Sequence, residues 1–145
     1  IWLDRDTADF SAFRKAVEAL QAGKAIGIAP EGTRSTTATL IEGKPGTALL
    51  ALRTGTPIIP VAIVGTEDSV SKMLHFKRPH ITVTYGKVIT PPRLDRSNRE
   101  HQLQDLTDEV MCQIASMMPE KYRGFYADHP RLKAILTGQE THTAG

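Results

Sequence analysis

The stretch Ala25-Ile26-Gly27-Ile28-Ala29-Pro30-Glu31-Gly32-Thr33-Arg34-Ser35 decides the reading of this chain. Its apolar run from Ala25 to Ala29 has the composition of a strand, with Gly27 as a weak point and Pro30 as the stop. The five residues that follow bring an acid, a glycine, two hydroxyls and a guanidinium to the end of that strand, where α/β proteins place ligands. Arg34 offers a planar fork of donors that matches two phosphate oxygens, and Gly32 lacks the Cβ that would hold a ligand off the backbone. Thr33 and Ser35 add neutral donors. Glu31 cannot hold a phosphate, because two anions repel; it orients an arginine or accepts a hydrogen bond from a ligand hydroxyl. Taken alone, the same residues also fit a polar turn with a surface ion pair between Glu31 and Arg34.

Upstream, Ile1 to Leu3 reads as the end of a strand. A helix follows, with Thr7 as its cap, Phe10, Phe13, Val17 and Leu20 on one stripe, and Gly23 as a left-handed stop. Downstream, Ser35 to Glu42 is a polar loop, Gly46 to Arg53 a short helix ended by Gly55, and Pro57 to Val64 an almost wholly apolar strand. This alternation predicts right-handed crossovers: an α/β fold with a mostly parallel central sheet and helices on both faces. Ile81 to Tyr85 is a further strand, with Gly86 as a kink before Val88 and Ile89. Ser97 is expected to cap a long helix whose stripe Leu103, Leu106, Val110, Ile114 and Met117 runs to Pro119. From Glu120 the chain reads as a tail in which Tyr122, Phe125 and Tyr126 dock on the body, with a frayed end from Thr137.

The blocks Ile1-Trp2-Leu3-Asp4-Arg5, Glu31 to Ser35 and Ile58-Ile59-Pro60-Val61-Ala62-Ile63-Val64-Gly65, with Lys44 and Gly46 between the last two, resemble three of the four ordered motifs of the glycerolipid acyltransferases, the lysophosphatidic acid (1-acylglycerol-3-phosphate) acyltransferase type. The resemblance covers Ile1 to about Met118. It implies that residues 1–118 are the C-terminal part of one acyltransferase-like domain, incomplete at the N-terminus, with 119–145 as a C-terminal tail. It further implies transfer of a fatty acyl group from an acyl thioester, acyl-CoA or acyl carrier protein, to a hydroxyl of a lysophosphatidate or similar glycerophosphate, a step of phospholipid biosynthesis with no separate cofactor. Arg5, Glu31 and Arg34 are then expected to hold the phosphorylated acceptor together with Gly32, Thr33, Ser35 and Lys44, while Pro60 shapes the pocket wall.

The family's first motif, a histidine with an aspartate five positions on, is absent: none of His75, His80, His101, His129 or His142 has Asp at that spacing. The expectation is therefore that the proton-accepting pair precedes Ile1, that no catalytic residue lies in these 145 residues, and that this piece alone is nearly inert, since general-base help is worth roughly 100- to 10,000-fold. A lipid substrate implies a place at the cytoplasmic face of the membrane, peripheral or anchored by a preceding segment. Val70, Met73, Leu74 and Phe76, interleaved with Lys72, Lys77 and Arg78, suit an anionic membrane surface, although such a loop equally folds its apolar residues inward.

Composition excludes other classes. With 18 Lys and Arg against 16 Asp and Glu, the net charge of +2 gives no nucleic-acid footprint. The single Cys112 has no internal disulfide partner and reads as helix packing. Gly27 and Gly32 have the gap of a P-loop, but Thr33 stands where lysine is needed. His75 and His80 lack a third metal ligand nearby. The rival reading is a non-catalytic α/β module that binds a phosphorylated small molecule with the same residues and needs no missing pair; a pseudoenzyme partner of an active homologue is a third.

Overall fold

Phe13, Val17 and Leu20, three or four residues apart, give α1 (Phe10–Gln21) one half-buried apolar stripe. Gly23 closes it with φ +75°, its N–H bonded to the Leu20 carbonyl and that of Lys24 to Ala19, each at 3.0 Å. The structure is a computed structural model that describes residues 10–33, 38–66 and 80–138. The expected cap Thr7, the opening strand at Ile1 and the mixed apolar and basic segment around Val70 to Arg78 lie outside these.

α2 (Gly46–Thr54) begins one residue beyond Pro45, whose fixed φ suits a helix start. Gly55 ends it at φ +69°, donating to the Ala51 carbonyl at 2.8 Å. Ala48, Leu50, Ala51 and Leu52 are buried, so this short helix is held by packing. Ala48, Ala51 and Leu52 share one core with α3 (Arg99–Ser116), which contributes Leu106, Val110, Met111, Cys112, Ile114 and Ala115. Full burial of each large apolar side chain contributes about 1.5–3 kcal/mol. Ser97 does not cap α3. Asn98 occupies the N-cap without a side-chain bond to the helix, and the Ser97 hydroxyl donates instead to Asp95 at 2.7 Å. Asp95 outcompetes the helix because it also accepts from the Ser97 N–H at 2.9 Å, closing a local turn.

The sheet differs from expectation. Among the described residues it has two strands, β1 (Val61–Val64) and β2 (Thr82–Tyr85), running antiparallel with Val61 opposite Tyr85 and Val64 opposite Thr82. Pairing continues beyond the ladder: Gly86 donates to the Pro60 carbonyl at 2.8 Å, and Ile58 and Ile89 exchange bonds at 2.9 and 2.8 Å. The chain is thus mixed α and β, with a hairpin-like pair where a mostly parallel sheet was expected. The cause lies in Ala25 to Ala29, which runs in an irregular, largely exposed path instead of forming a strand. A strand exists only through a neighbour's N–H and C=O groups, and no described strand lies alongside to supply them.

Pro60 and Ala62 are buried toward α3, whereas Ile59, Ile63, Val83 and Tyr85 are exposed on the opposite face.

After α3 the chain makes two single-turn 3-10 helices, Glu120–Tyr122 and Gly124–Tyr126, then α4 (Pro130–Leu136). Tyr122 and Tyr126 dock as expected, but Phe125 stays 58% exposed, meeting Tyr126 edge-on at 5.1 Å. α4 was not anticipated. Its seven residues are too few for a visible period, although Pro130 at its first turn is a start signal. Among the described residues no helix is long and apolar enough to cross a membrane.

Candidate functional site

Pro30 and the turn Glu31-Gly32-Thr33 run beside the segment Leu40 to Lys44, and backbone bonds join the two. The Lys44 N–H donates to the Pro30 carbonyl at 2.7 Å, and the Gly32 N–H closes a turn onto Ala29 at 3.1 Å. Gly32 sits at φ +70°, and a Cβ there would lie 3.4 Å from Cγ of Lys44, so the lysine stem passes directly over the glycine. The turn therefore brings Glu31, Gly32, Thr33 and Lys44 together. Arg5, Arg34 and Ser35 lie outside the described residues.

Glu31 is half-buried, and that burial pushes its carboxyl above the usual glutamate range, against a hydrogen bond from the Ile41 backbone N–H that pulls it down. Lys44 is exposed and has no carboxylate within ion-pair distance among the described residues. It is two residues from the start of α2, whose first N–H groups carry the positive end of the helix dipole. An uncompensated ammonium next to a helix start favours an anion.

Glu31 and Thr33 line an open groove of about 1230 Å³. Much of its wall is apolar, from Leu20, Ile28, Leu50, Ile59, Ile114 and Met118. Pro60, fully buried, is also among the residues that line the groove. Thr47, in the first turn of α2, also lines it, and its hydroxyl is buried with no hydrogen-bond partner among the described residues. A hydroxyl in this place has the chemistry to donate to a ligand oxygen in the groove. The sequence reading passed over Thr47; the Pro45-Gly46-Thr47 helix start was the available signal.

Residues 1–64 match the family described as Acyltransferase. Over 104 residues, 71% of the chain, the sequence is 27% identical to a 1-acyl-sn-glycerol-3-phosphate acyltransferase of Borreliella burgdorferi. The chain is thus similar to acyltransferases over its first 64 residues and to this glycerophosphate acyltransferase over a longer stretch. The aligned part spans 42% of that relative's length. No solved structure matches the chain.

Two histidine–aspartate pairs occur among the described residues, and neither opens on the groove. His101 Nδ1 lies 2.7 Å from Asp105 on the exposed side of α3. His129 Nε2 lies 3.7 Å from Asp108, and its Nδ1 accepts the Arg131 N–H at 3.2 Å as the cap of α4. The Cys112 sulfur approaches the same Nδ1 at 3.3 Å, which completes a row of a buried thiol, a half-buried imidazole and a half-buried carboxylate. That row is structural. Cys112 is fully buried, and burial together with Asp108 and Glu109 pushes its thiol up to about 12, so no thiolate forms near neutral pH.

Proposed function

We propose that the protein carrying this chain transfers a fatty acyl group from a thioester of coenzyme A or acyl carrier protein to the free hydroxyl of a 1-acylglycerol-3-phosphate. The observation that carries this is the meeting of Glu31 and Thr33 with a largely apolar groove, beside a helix start and a Lys44 that has no carboxylate partner among the described residues. Such a site suits a molecule with an anionic head and a hydrocarbon tail. The match to the Acyltransferase family over residues 1–64 and the similarity to a 1-acyl-sn-glycerol-3-phosphate acyltransferase support the same chemistry.

In this reading the phosphate lies against Lys44, Thr33 and the start of α2, and Arg34, Arg5 and Ser35 complete its shell by their positions in the family motifs. Glu31, fastened by the Ile41 N–H, accepts a hydrogen bond from a glycerol hydroxyl. The attacking hydroxyl oxygen bonds to the thioester carbonyl carbon, the carbon–sulfur bond breaks, and the thiol leaves. The hydroxyl's proton goes to an imidazole held by an aspartate. That pair belongs to the family's first motif, which these residues do not contain. In the same reading, a substrate with membrane-borne tails is met at a membrane surface, proposed here to be the cytoplasmic face.

Arg34→Ala in the complete gene product is expected to raise the acceptor's KM at least about tenfold, as for loss of a charge-assisted contact, while the donor's KM stays within about twofold. Arg34→Lys is expected to recover only part of that, since an ammonium lacks the two-pronged geometry. Unchanged acceptor kinetics in both variants would overturn the assignment.

A further inference from the structure

The turn that carries the acceptor site is held from behind by residues far along the chain. Leu40 donates its N–H to the Tyr122 carbonyl and accepts from the Phe125 N–H, both at 2.9 Å. Three residues on, the Gly43 N–H donates to the Tyr126 hydroxyl oxygen at 2.9 Å, a link across 83 positions. Tyr126 is completely buried. Gly43 itself lies so close to α3 that a Cβ would meet Met111 Cγ at 2.7 Å and Thr107 Cγ2 at 3.0 Å. The next residue is Lys44, bonded to Pro30 through its own N–H and crossing Gly32 with its stem.

A continuous series of short contacts therefore runs from the Tyr126 hydroxyl through Gly43 and Lys44 to the Glu31-Gly32-Thr33 turn. We propose that Tyr126 is a positioning residue of the acceptor site: its hydroxyl fixes the Gly43 amide and so sets where Lys44 stands relative to that turn. It rests on the function proposed above. The hydroxyl matters separately from the ring. The ring fills the core between α3 and the 3-10 turns, whereas the oxygen is the acceptor assigned to a backbone donor one residue from the site's lysine. Without it the Gly43 N–H lacks that acceptor, and the backbone shifts to find water or another partner. Phe125 packs on the same ring edge-on yet leaves the hydroxyl alone, and so separates packing from hydrogen bonding.

The test is steady-state kinetics of the complete gene product with lysophosphatidate and acyl thioester varied in turn, for the parent, Tyr126→Phe, Phe125→Leu and Arg34→Ala. Melting temperature and deuterium exchange at the Gly43 amide are followed in the same proteins. Tyr126→Phe is expected to raise the acceptor's KM about three- to tenfold, the range that one lost hydrogen bond corresponds to. The donor's KM and kcat are expected to stay within about twofold, with faster Gly43 exchange. Phe125→Leu is expected to leave the acceptor's KM unchanged. The proposal is overturned if Tyr126→Phe leaves the acceptor's KM at the parent value, if it lowers kcat and both affinities only in step with lost folded protein, or if Phe125→Leu raises that KM equally. A raised KM in Arg34→Ala beside a normal one in Tyr126→Phe overturns the positioning role alone; normal values in both overturn the underlying function as well.

Discussion

At Gly124 the backbone turns to φ +47°, and a Cβ there would run into the carbonyl oxygen of Leu40, with its N and Cβ of Thr39 each at 3.0 Å. Only glycine lets the C-terminal 3-10 turns lie flat against residues 39 to 41. Gly124→Ala adds left-handed strain of about 1–2 kcal/mol to a clash with main chain that cannot swing aside. The expected loss is at least about 2 kcal/mol in a urea titration, with the slope unchanged. Gly32, at φ +70°, has the same conformational demand but an easier neighbour in the lysine stem. At this scale the sequence named Glu31, Gly32, Thr33 and Lys44, because their chemistry and order are visible in one dimension. It passed over Gly43, whose role comes from contact with Met111 and Tyr126, residues far away in the chain.

α3 and α4 show what a pair of elements adds. Arg131 grips Glu109 with two nitrogens, and Gln113 donates to the same carboxylate at 3.1 Å. Burial alone pushes the Glu109 carboxyl up, but the hydrogen bonds from Arg131 and Gln113 and the Arg131 charge outweigh it and leave the group below its usual range. A carboxyl whose folded value is depressed stabilises the fold above its unfolded value, and that contribution fades as pH falls through the folded value. Protein stability is therefore expected to fall on acidification below the usual glutamate range. In Glu109→Gln that part of the pH slope should flatten, with about 1–3 kcal/mol lost at neutral pH because Arg131 keeps its charge without this partner. Thermal melts between pH 3 and 7 for the two proteins check this. The long helix α3 was legible from its stripe of apolar residues, and α2 from Pro45 and Gly55. α4 was not, because its stability comes from Leu132 in the core and from His129 as a cap.

Across the whole molecule one core joins α2, β1, α3, both 3-10 turns and α4. Ending the chain at Pro119 removes Tyr122, Tyr126 and Leu132 from it. Tyr126 and Leu132 are fully buried, worth about 1.5–3 kcal/mol each or more, and a domain's total is only about 5–15 kcal/mol. The truncated protein is expected to lose its cooperative melt, and a sharp transition near the parent temperature would contradict that. The sequence by itself determined the likeness to the acyltransferases, the turn with its acid, glycine and hydroxyl, and the longer helices, because each is written in local spacing, charge and turn chemistry. Only the tertiary structure decided that β1 and β2 run antiparallel, that Ala25 to Ala29 forms no ladder, and that Tyr126 stands behind Lys44. Strand pairing and long-range hydrogen bonds depend on which distant segments come to lie side by side, and one-dimensional periodicity carries no record of that.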